Sequence, residues 1–236
     1  MTDYGGDGEP IILLHGFLSS SKYWRRLTPY LLDAGYRVIT IDLLGFGYAP
    51  KPTNLAYSYD DHIAYIHNMV QSLNLPQFTL VGHSMGALLA SRYSIVHPRA
   101  INELLLLHPP LYKNREEAYA TLRATSRFYR FMLGSRFRSA GWALMRTFSL
   151  RHISAHNKAS REGSLENVIE RAEMHHDYQH IPVVTKLLVG MRDRKEYVKN
   201  ARDLPANPNV TLIQKNVAHH SPIFHPQLIM SLLLAP

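Results

Sequence analysis

The sequence predicts an α/β chain: a mostly parallel sheet with helices on both faces and a helical segment inserted before its last strands. Three observations predict it. Short apolar runs alternate with helix-period segments along most of the 236 residues, the pattern of strands joined by crossover helices. Several of these runs are apolar at every position, as suits strands covered on both faces. And Gly82-His83-Ser84-Met85-Gly86 stands between the run Phe78-Thr79-Leu80-Val81 and the helix-like Ala87-Leu88-Leu89-Ala90.

Strands are expected at Ile11 to Leu14, Arg37 to Ile41, Phe78 to Val81, Ile101 to Leu107, Val183 to Val189 and Val210 to Gln214. Helices fit Lys22 to Asp33, Tyr59 to Leu73, Met85 to His97, Lys195 to Asp203 and Pro226 to Leu233. Pro98 closes the third of these, because proline cannot continue a hydrogen-bonded helix. The alternation stops after His108-Pro109-Pro110 and resumes near Ile181-Pro182. The expected organisation is a core from 1 to 110, a helical cap from 111 to 180, and the rest of the core from 181 to 236. The chain begins only ten residues before Ile11. Six strands are therefore expected, with an exposed edge that can pair with another chain in a homo-oligomer.

A chain of this size buries a core without staples. It has no cysteine, which excludes disulfides, thiolate metal sites and a cysteine nucleophile. Met1-Thr2-Asp3-Tyr4 starts no signal peptide, and runs such as Leu104 to Leu107 are too short to cross a bilayer. A soluble, cytoplasmic protein is expected. The formal charge of +8 is concentrated. From Ala118 to Arg161 there is no carboxylate, while Arg123, Arg127, Arg130, Arg136, Arg138, Arg146, Arg151, Lys158 and Arg161 lie among Phe128, Phe131, Met132, Phe137, Trp142, Leu144, Met145 and Phe148. Three readings compete: a solvated helix face with snorkelling side chains, a surface that attracts acidic substrates or an anionic membrane, and a nucleic-acid site. The last is weakest, because no nucleic-acid motif accompanies the charge.

The glycine-flanked serine carries the chemistry. A strand-to-helix turn this tight forces positive φ on Ser84 and leaves no room for side chains at Gly82 and Gly86. Its hydroxyl is a poor nucleophile without a base and a group that orients the base. In an open α/β sheet these come from loops at the C-terminal ends of other strands. Asp193 lies just beyond Leu187-Leu188-Val189, and His219-His220 follow the last strand. The chain order Ser, Asp, His is one of three known for this constellation.

These residues resemble the α/β-hydrolase fold, in its esterase- and lipase-like branch with a helical cap. His15-Gly16-Phe17 resembles the family's oxyanion loop, Asp42-Leu43-Leu44-Gly45-Phe46-Gly47 its D-x-x-G-x-G turn, and Gly82 to Gly86 its nucleophile elbow. The resemblance implies that Ser84 attacks a carbonyl carbon, His220 moves the proton and Asp193 orients the imidazole. It also implies that the backbone N–H groups of Phe17 and Met85 hold the oxyanion. Counting from Pro208-Asn209-Val210 places His220 in register. Phe224-His225-Pro226 is one residue shorter than the family pattern and lacks its acidic residue, so His219 remains the alternative base. Relatives that open epoxides or haloalkanes use an aspartate nucleophile, against which Ser84 argues.

Other residues have blander readings. Asp193 could instead cap the next helix. His15 and His83 brace the backbone beside the site, and Asp42 ties down its own turn. His176 and His180 share a helix face at a spacing that can bind a divalent ion, but a solvated helix end is the better reading. No cofactor and no metal are expected. The function expected is hydrolysis of carboxylic esters, or thioesters, of a small molecule with a largely apolar acyl group through an acyl-enzyme. The alternatives are C–C bond hydrolysis of a β-diketone-like acid, a membrane-surface lipase with the basic cap as lid, and a non-catalytic binding module.

Overall fold

The computed structural model describes residues 1–124 and 154–235. Seven strands form one sheet: β1 (Thr2–Asp3), β2 (Pro10–Leu14), β3 (Arg37–Ile41), β4 (Phe78–His83), β5 (Ile101–Leu107), β6 (Thr185–Gly190) and β7 (Val210–Lys215). Their spatial order is β1-β3-β2-β4-β5-β6-β7. Every neighbouring pair is parallel except β1 with β3. β1 is a correction to the six strands expected. Its two residues pair with Ile39 and Thr40, Tyr4 N–H continues the pairing to the Val38 carbonyl at 2.9 Å, and Asp3 holds Arg37 at 2.7 Å. So short an exposed strand leaves no alternation to read.

Side chains alternate across the pleat, and here both sides are apolar. Ile12, Leu14, Ile39, Ile41, Leu80, Leu104, Leu106, Leu187 and Val189 enter one core. Ile11, Leu13, Val38, Val81, Leu105, Leu107 and Leu188 enter the other. The first is covered by α2 (Tyr59–Gln71) and α3 (Met85–Val96), with residues further along the chain from Leu165 to Ile181. The second is covered by a 3₁₀ turn (Ser21–Arg26), α1 (Thr28–Asp33) and the C-terminal segment. The helix expected from Lys22 to Asp33 is thus two pieces. Pro29 has no N–H to give to the Arg25 carbonyl, and the Thr28 hydroxyl donates to the Trp24 carbonyl at 3.0 Å.

Between β5 and β6 lie α4 (Arg115–Ala124), α5 (Lys158–Ser164), a π turn (Leu165–Ile169) and α6 (Met174–His180). Arg92 of α3 binds this segment. Its Nε lies 3.1 Å from both Asp177 carboxylate oxygens, it pairs with Glu173, and its guanidinium sits 4.6 Å above the Tyr59 ring. The basic and aromatic residues from Arg127 to Arg151 lie outside the described residues, and with them the expected membrane-facing surface. Further helices are α7 (Lys195–Arg202), α8 (Ser221–Phe224) and α9 (Pro226–Leu234). Among the described residues, no helix is long and apolar enough to cross a membrane.

From β2 the chain winds outward to β3; from β4 it winds the other way through β5, β6 and β7. The strand order therefore reverses between β2 and β4. The crevice outside the carboxyl ends of these strands is where an open sheet of this kind binds its ligand.

Candidate active site

Ser84 stands at that crevice, between β4 and α3, with φ 55° and ψ −120°. Its N–H continues the ladder to the Leu107 carbonyl at 2.9 Å, and its own carbonyl accepts from Ala87 and Leu88. The backbone is thereby pinned on both sides in a conformation that costs a non-glycine residue on the order of 1–3 kcal/mol. The glycines are required by close approach. A Cβ on Gly82 would lie 2.3 Å from the Gly86 carbonyl oxygen, and one on Gly86 would lie 2.4 Å and 2.5 Å from the carbonyl oxygens of Leu14 and His15. The elbow and the loop that begins at His15 are thus in backbone contact.

Three side chains from three loops meet there. Ser84 Oγ lies 3.0 Å from His219 Nε2, and His219 Nδ1 lies 2.7 Å from Asp193 Oδ2. Since a carboxylate only accepts, Nδ1 carries the hydrogen and Nε2 offers its lone pair to the serine hydroxyl. Asp193 follows β6 and also receives the Arg194 N–H at 2.7 Å. Burial alone would raise its pKa. The hydrogen bond from His219 Nδ1–H, together with that N–H, holds it well below the usual carboxylate range.

His220, expected as the base, is not the imidazole between Ser84 and Asp193; its neighbour His219 is. The loop Lys215–Pro222 turns at Ala218, whose carbonyl takes the Ser221 N–H at 3.0 Å. His83 Nε2–H then donates to the His219 carbonyl at 2.8 Å, which fixes that residue's backbone beside Ser84. His220 is exposed and directs Nδ1 toward Tyr23 Oη at 3.4 Å instead. The loop shortened by one residue, at Phe224-His225-Pro226, is consistent with a base one position earlier.

The expected oxyanion groups flank the serine. Met85 opens α3, where first-turn N–H groups have no acceptor within the helix. On the other side, a Cβ on Gly16 would lie 3.1 Å from Ser84 Cβ, so the Gly16-Phe17 backbone passes against the nucleophile. His15 holds this loop. Its Nε2 accepts the Leu43 N–H at 2.9 Å and its Nδ1–H donates to the Gly16 carbonyl at 2.8 Å. Burial lowers its pKa to about 4, so the ring is neutral. Asp42 accepts the N–H groups of Ser21 at 2.5 Å and Tyr48 at 2.8 Å, tying its own turn. His15, His83 and Asp42 therefore stand where bracing residues were expected.

His176 and His180 stack 4.5 Å apart at the end of α6, and His180 Nδ1–H donates to the His176 carbonyl. Among the described residues, no three His, Asp or Glu side chains are grouped to hold a metal ion. The sequence reading missed Tyr23, which stacks on His83 at 4.6 Å. It also missed His108 and Ser221, which touch each other beneath Asp193. Only the position of His108 directly after a buried strand could have signalled it.

Residues 9–213 match the family model described as alpha/beta hydrolase fold, and the chain belongs to that family. Over 109 residues it is 40% identical to the "Probable lysophospholipase BODYGUARD 1" of Arabidopsis thaliana, a match covering 44% of this chain and 23% of that protein. Over 139 residues it is 34% identical to a haloalkane dehalogenase of Mycobacterium marinum, covering 57% of this chain and 47% of the other. The matches thus span about a quarter to a half of these relatives. Among solved structures, an esterase from Exiguobacterium antarcticum superposes with a TM-score of 0.72 at 21% identity, covering 99% of this chain and 92% of that one. That likeness is one of fold.

Proposed function

We propose that the protein is a serine hydrolase that cleaves carboxylic esters, or thioesters, through an acyl-enzyme. The observation that supports this is the hydrogen-bonded line from Ser84 Oγ through His219 to Asp193, with the serine lifted on a positive-φ turn. In this reading Ser84 Oγ attacks the acyl carbon as its proton passes to His219 Nε2. The oxyanion forms against the N–H groups of Phe17 and Met85. Nε2–H then protonates the leaving alcohol or thiol, and a water deprotonated by the same nitrogen releases the acid and restores Ser84. Asp193 stays ionised throughout and stabilises the imidazolium.

Phe17, packed edge-on to Phe46 at 5.9 Å, gives the oxyanion loop an apolar side suited to an acyl chain. The test is an acyl-chain-length ester panel run beside Ser84→Ala. Turnover that disappears in the variant supports the reading; turnover that persists overturns it. A second reading is C–C bond hydrolysis. It is favoured by 36% identity over 106 residues to the 2-hydroxy-6-oxo-6-(2'-aminophenyl)hexa-2,4-dienoic acid hydrolase of Metapseudomonas resinovorans, which covers 43% of this chain. Cleavage of a vinylogous diketone acid in preference to every ester of the panel would select it.

A further inference from the structure

One buried imidazole touches both loops that carry the partners of Ser84, and neither the sequence motifs nor the line of proton transfer includes it. His108 directly follows β5 with φ 52°, its N–H bonded to the Leu188 carbonyl at 2.8 Å. The ring is buried. Its Nδ1 accepts the Gly190 N–H at 3.2 Å, and its Nε2 lies 2.7 Å from Ser221 Oγ. Gly190 starts the turn that presents Asp193, and Ser221 starts the short helix two residues after His219.

The partners settle the tautomer. With its Nδ1 lone pair taken by an N–H, neutral His108 carries its hydrogen on Nε2 and donates it to Ser221 Oγ. Nδ1 also lies 3.4 Å from Asp193 Oδ2, but in this tautomer it has no hydrogen to give. Asp193 Oδ2 is left to the Nδ1–H of His219. A protonated His108 would instead compete for that carboxylate. Burial, followed by the nearby His219, works against that proton, while Asp193 works for it, and the net direction is downward. Gly190 fits the same arrangement: a Cβ there would lie 2.8 Å from His108 Cε1 and 2.3 Å from the Val217 carbonyl.

We propose that His108 is a positioning residue. By holding Gly190 N–H with one ring nitrogen and Ser221 Oγ with the other, it sets the acid loop against the base loop, so that one imidazole reaches both Asp193 and Ser84. The proposal rests on the Ser84–His219–Asp193 reading above.

The test compares wild type with His108→Leu, His108→Gln, Ser221→Ala and Ser84→Ala. Two quantities are read: the second-order rate of labelling by a fluorophosphonate, and the low-field proton resonance of the His219–Asp193 hydrogen bond. A misplacement of about 1 Å in a reacting pair costs roughly a hundredfold in rate. His108→Leu is expected to label roughly ten- to a hundredfold more slowly and to lose or shift the resonance. Ser221→Ala should move both in the same direction, and His108→Gln, which keeps a donor toward Ser221, should recover part of the rate. Wild-type labelling rate and resonance in folded His108→Leu overturn the proposal. If that variant does not fold, unchanged values in Ser221→Ala overturn it. Labelling that survives Ser84→Ala is a separate result, and it removes the underlying reading instead.

Discussion

Acid should loosen this fold through histidines that must stay neutral, and His62 shows how much. It sits inside α2 with Nε2 3.0 Å from Ser164 Oγ of α5 and is fully buried. Burial, the largest influence, lowers its pKa from 6.5 to about 4. The sign follows from linkage. Between those two values the unfolded chain binds a proton that the native ring refuses, so stability falls as pH drops through that window. Moving the pKa from 6.5 to about 4 amounts to about 3 kcal/mol when fully expressed, and to about 2.5 kcal/mol by pH 4.5. His62→Gln keeps an amide near Ser164 Oγ but does not titrate. Urea unfolding at pH 7.0, 6.0, 5.0 and 4.5 should show the variant losing about 2.5 kcal/mol less than wild type across the series. Parallel pH dependences for the two proteins would show that His62 does not resist protonation in the native state.

Three further outcomes follow from the geometry. Gly86→Ala drives a methyl onto the Leu14 and His15 carbonyls; it should cost at least about 2 kcal/mol in thermal unfolding and distort the elbow. Arg92→Met strips the buried Asp177 of its guanidinium and should destabilise by about 3 kcal/mol, part of which Asp177→Asn added to it restores. Asp193 is held well below the usual carboxylate range, so its protonation should not shape the activity profile. The acid limb of kcat/KM should carry no proton from Asp193, and a limb of slope two would contradict that.

Much of the core was legible because burial on both faces leaves unbroken apolar runs. Leu104 to Leu107 fill two cores alternately, as a strand covered on both faces does. The elbow was legible because Gly82 and Gly86 answer contacts that admit no side chain. The choice between His219 and His220 was not. Two adjacent histidines on a turn differ only in which backbone is held, and the holder, His83 Nε2–H, comes from residues far away in sequence. β1 and the break at Pro29 were missed for related reasons. Two exposed residues carry no periodicity, and an apolar pattern that continues past a proline conceals the lost hydrogen bond. His108 left no pattern, because a lone histidine after a strand is defined only by what folds around it.

In the proposed mechanism His219, rather than the residue beside it, takes the proton of Ser84. Fluorophosphonate labelling rates of His219→Ala and His220→Ala, measured beside Ser84→Ala, test it most directly. His219→Ala is expected to label at least about a thousandfold more slowly than wild type, while His220→Ala stays within a few-fold. The reverse order, with His220→Ala silent and His219→Ala labelling normally, would contradict it.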